Sequence, residues 1–113
     1  MLLVEHGMYE LDLSNVTMIG QFAFTGAKIK EVNLSNVSSF DGIAAFSDCN
    51  ELTKVILPDK SVNGIADAYI FGNPVYDVGE YLSNITYISY NGSVYSSVNE
   101  FYEAIGAETY TIE

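Results

Sequence analysis

The stretch LDLSNVTMIGQFAF, residues 11–24, is restated as VNLSNVSSFDGIAAF, residues 32–46. Leu11, Leu13 and Val16 recur 21 residues on as Val32, Leu34 and Val37. Ala23-Phe24 recurs as Ala45-Phe46 at a spacing of 22. Ile29, Val32 and Leu34 recur as Leu52, Val55 and Leu57 at 23. A third copy is predicted to begin at VILPDKSVNGIADAY, where Asn63–Ala66 echoes Asp41–Ala44 and Ala68-Tyr69 echoes Ala45-Phe46. A unit of about 20–25 residues is too short to bury its own apolar face, and stacked units bury all their faces in one column. The spacing therefore predicts a mostly β repeat solenoid of short parallel strands.

Within each unit the L-x-L pairs alternate, which is strand periodicity. Leu11 and Leu13, Val32 and Leu34, and Val55 and Leu57 are predicted to point into the column. Asp12, Asn33 and Ile56 are predicted to point out, stacked roughly 4.8 Å apart. Asn15, Asn36 and Pro58-Asp59 follow as turn-formers. The small-aromatic pairs fill the opposite wall. At the other end SSVNEFYEAIG reads as a capping helix. Ser97 stands three before Glu100 as a capping box, and Gly106 is a stop. Val98, Phe101, Tyr102 and Ile105 make its apolar stripe.

These residues reach a family. Ile19-Gly20, Ala23-Phe24 and Gly26, followed by FSDCNELTKVILP (Phe46–Pro58) with Asp48-Cys49 in place of Gly-Cys, resemble the BspA-type leucine-rich repeat. ITYISYNGSVYSSVNEFYEAIG (Ile85–Gly106) resembles the way such arrays end, with an aromatic strand, an N-G turn and a short helix. The resemblance spans roughly residues 8–106 and implies a non-enzymatic interaction module; the usual members are long, secreted, cell-surface proteins. One stretch departs from the pattern. IFGNPVYDVGEY makes its unit about ten residues too long, and its glycines, asparagine and proline read as a loop. The single domain of 113 residues then divides into an N-terminal cap (1–10), repeats (11–69), an inserted loop (70–82) and a terminal unit with its cap (83–113).

Charge narrows the partners. The 15 acidic residues face 4 lysines and no arginine, for a formal net charge of −11. Residues 61–113 hold seven acids and no base. Such a field repels nucleic acid and membrane surfaces and steers basic partners. No apolar run approaches the roughly 20 residues of a membrane-spanning helix. The N-terminus carries Glu5 where a signal peptide stays apolar. A complete chain reads as cytoplasmic, and an excised module as cell-surface or secreted.

Chemistry is sparse. His6 and Cys49 are the only histidine and cysteine, so no catalytic pair, metal set, cofactor site or internal disulfide is expected. Cys49 reads as a buried packing residue. Asp48–Glu51 has D-x-N spacing but lacks the remaining ligands and the glycine of a calcium loop. N-x-S/T sequences at Asn15, Asn36, Asn84 and Asn91 are glycan acceptors only in a eukaryotic secreted protein, and Asn15 and Asn36 are one repeat position. Tyrosine is the more telling feature. Eight of nine lie in Tyr69–Tyr110, where they serve either an interface or packing.

The expected function is protein binding without catalysis. The contact surface combines Glu10, Asp12, Glu31, Asn33, Lys54 and Ile56 with the Tyr-rich loop Phe71–Tyr81, that is Tyr76 and Tyr81, and with Tyr87 outside the strand ITYISY. The partner is a protein of basic character, and a homodimer through a terminal coil or edge strand is the self-association on offer. Two alternatives stand beside this. One is a small acidic inhibitor that blocks a basic nucleic-acid-binding enzyme, in the manner of phage anti-defence proteins. The other is a fragment of a cell-surface adhesin.

Overall fold

The computed structural model describes residues 10–72 and 84–107. The chain alternates between two sheets. Strands β1 (Glu10–Asp12), β3 (Glu31–Asn33), β5 (Lys54–Ile56), β6 (Tyr87–Tyr90) and β7 (Ser93–Tyr95) form the longer sheet in that order. β2 (Met18–Gly20) and β4 (Ser39–Asp41) form the second, and an isolated bridge from Ser39 to Asn63 extends it. The pairings from β1 to β6 and between β2 and β4 are parallel; β6 and β7 close antiparallel. Two helices complete the described fold, α1 (Ile65–Ala68) and α2 (Val98–Ile105).

The register reproduces the sequence periods. Leu11, Val32, Val55 and Ile88 stand side by side, so successive strands step by 21, 23 and 33 residues. The last step carries the ten extra residues that the sequence assigns to a loop. Val32, Leu34, Val55, Leu57, Ile88 and Tyr90 are buried in one core with Ile19 and Phe40 of the second sheet. Leu11 and Leu13, in the first described coil, are only half-buried. Tyr87 points outward and Ile88 and Tyr90 inward, as the alternation requires; Ile85, also buried, precedes the strand.

The small-aromatic wall departs from expectation in two ways. Ala45 and Phe46 are buried, and the Phe24 ring stacks on Phe46 at 5.1 Å, yet Ala23 is exposed. The third copy is also aligned differently. Backbone N–H groups of Ala44 and Phe46 donate to Ala68 and Ile70 carbonyls, which sets Ala44 beside Tyr69 and Phe46 beside Phe71. Phe22, Ala44 and Tyr69 mark the same place in each coil with left-handed φ of 55°, 59° and 42°. The equivalent of Ala45-Phe46 is thus Ile70-Phe71 and not Ala68-Tyr69. Likewise Ser39 bridges to Asn63, so Asn63–Ala66 does not lie over Asp41–Ala44. Of the two additional residues, one is already in place at the Ser39–Asn63 bridge and the other falls between Asn63 and Tyr69, where α1 lies. Ile70 and Phe71, placed by sequence at the start of the loop, are buried parts of the repeat.

One glycine permits a close approach between the first two copies. Copy two is one residue longer than copy one between Asp41 and Ala44, and there Gly42 lies against Gln21 with φ +123°. A Cβ there would stand 2.5 Å from the Gln21 Cβ, closer than side chains approach.

Helix α2 covers the end of the column. The Phe101 ring packs edge-on against Phe71 and Tyr90 at 6.0 and 5.8 Å. The Tyr102 hydroxyl donates to the Gly72 carbonyl at 2.8 Å and accepts from the Phe71 N–H at 3.1 Å. Ser97 caps the helix by accepting from the Glu100 N–H, and Gly106 ends it with φ 80°. The reciprocal half of the expected capping box is displaced by one residue: the Glu100 carboxylate accepts from the N–H and hydroxyl of Ser96.

Candidate functional site

The outer face of the longer sheet holds most of the residues the sequence singles out. Two rows run across the strands. Glu10, Glu31, Lys54 and Tyr87 are register neighbours, and so are Asp12, Asn33, Ile56 and Ser89, with Val94 beside Ser89 on β7. Asp12 and Tyr87 are exposed; Glu31, Asn33, Lys54 and Ile56 are half-buried. The backbone places Glu10 at the head of its row. Tyr76 and Tyr81 lie outside the described residues. Phe71, at the other end of that stretch, is core and not contact surface.

Local hydrogen bonding assigns Asp12 and Asn33 a second role that alternation alone does not reveal. The Ser14 N–H donates to Asp12 Oδ1 and the Ser35 N–H to Asn33 Oδ1, both at 2.9 Å. Each side chain closes the turn that ends its own strand, as short polar side chains do. The Ser14 hydroxyl and backbone N–H hold the Asp12 carboxyl below its ordinary range, so it stays ionised. The signal was present as D-L-S and N-L-S at matched positions. Ile56 breaks that pattern and leaves an apolar spot in the row. Lys54 places its ammonium 5.2 Å from the centroid of the Tyr87 ring, within cation–π range.

The other candidates resolve into structure. Cys49 is buried, its thiol donates to the Phe24 carbonyl at 3.2 Å, and burial pushes the thiol pKa up. That is the environment of an inert cysteine. Tyr90 and Tyr102 are buried; Tyr69 and Tyr95 are half-buried and pack against Tyr102 and Phe101. Among described tyrosines Tyr87 alone is exposed. The Asn36 amide donates to the Ser14 carbonyl and the Asn84 amide to the Asn50 carbonyl, each linking one coil to the previous one. The acids of the base-free half that fall among described residues, Asp67, Glu100 and Glu103, are spread over two helices. Among the described residues no group of His, Cys, Asp or Glu is arranged to hold a metal ion, and no helix is long and apolar enough to cross a membrane.

The repeating strand, the aromatic wall and the open outer face together define a leucine-rich-repeat protein. The model of the BspA type leucine rich repeat region (6 copies) matches residues 8–102, and the chain belongs to this family. Neither the curated proteins nor the solved structures contain a match to the chain.

Proposed function

We propose that this chain is a non-enzymatic protein-binding module, a short leucine-rich-repeat solenoid that offers the outer face of its longer sheet to a protein partner. The supporting observation is that face itself. Parallel sheets in most proteins are covered on both sides, whereas here Tyr87 and Val94 are 38 % and 58 % exposed, with the half-buried Ile56 in the row of Val94. Exposed tyrosine and aliphatic side chains on rigid strands supply contact area at little entropic cost. Membership in a repeat family built for extended binding surfaces supports the same reading.

The test is affinity capture from source-cell lysate, with wild-type protein and a Tyr87→Ala, Val94→Asp variant side by side, washed at low and then high salt. A protein retained by wild type and lost from the folded variant supports the proposal. Equal capture by both contradicts it. Basic nucleic-acid-handling proteins released by salt from both baits would favour the acidic-inhibitor alternative instead.

A further inference from the structure

No further inference is drawn: the strongest candidate, the exposed apolar surface patch of Phe22 and Ile43 beside the second sheet, carries nothing, because nothing in the structure shows what covers it.

Discussion

Phe46 shows what one residue contributes to this fold. It is 1 % exposed, stacks on Phe24 and lies beside Phe71 in the next coil. Phe46→Ala should cost about 3–5 kcal/mol in a denaturant titration, the range for truncating a buried aromatic. An unchanged midpoint would contradict the stacking. Asp48 carries the opposite sign. It occupies a left-handed φ of 58°, where Gly26 sits in the preceding coil with φ 76°. Asp48→Gly should be neutral or stabilise by up to about 1 kcal/mol, because glycine adopts that conformation without a Cβ penalty. Cys49 should react with a thiol reagent only at the rate at which the protein opens, since its thiol is buried and bonded to the Phe24 carbonyl. Its structural role was legible from its place in the repeat. The turn-closing roles of Asp12 and Asn33 were hidden, because an outward position in a strand looks the same whether a side chain is free or folded back onto its own backbone.

At the scale of elements, α2 is held by its ends as well as its apolar stripe. Ser97→Ala should cost about 1 kcal/mol, the usual loss of a helix cap, read from the same denaturant titration. The Glu100 carboxyl is held below its ordinary 4.5, first by the Ser96 N–H and then by the Ser96 hydroxyl. A depressed folded-state value stabilises above the unfolded value, and the contribution disappears as pH falls through the folded one. Stability should therefore decline below about pH 4.5, and Glu100→Gln should flatten part of that decline in acid titrations followed by circular dichroism. The helix and its caps were readable in sequence because they are local. The third repeat was not readable to the residue. Its Ala-Tyr pair imitates the Ala-Phe pair before it, and only the hydrogen bonds from Ala44 and Phe46 show that the true equivalent is Ile70-Phe71. Composition alone does not encode how many residues are inserted between one repeat position and the next.

For the whole molecule, repetition turns short elements into one surface. Each strand of the longer sheet has three or four residues, too few to hold a shape alone. Stacked in register, they share one core and present one outer face. The same repetition made the fold legible: a spacing of 21 to 23 residues in the sequence is the step between strands in space. The face was legible as two rows of positions. The exposed Val94 at the end of the second row was not, because only the β6–β7 hairpin brings it alongside Ser89. The most direct test of the outer face as the binding surface is site-specific photo-crosslinking in source-cell lysate. A photoreactive phenylalanine analogue is placed at Tyr87 in one sample and at Glu103, exposed on α2, in another. The expected result is a discrete crosslinked protein from position 87 and none from 103. Crosslinking from 103 with none from 87 would contradict the central claim and move the interface to the helical end.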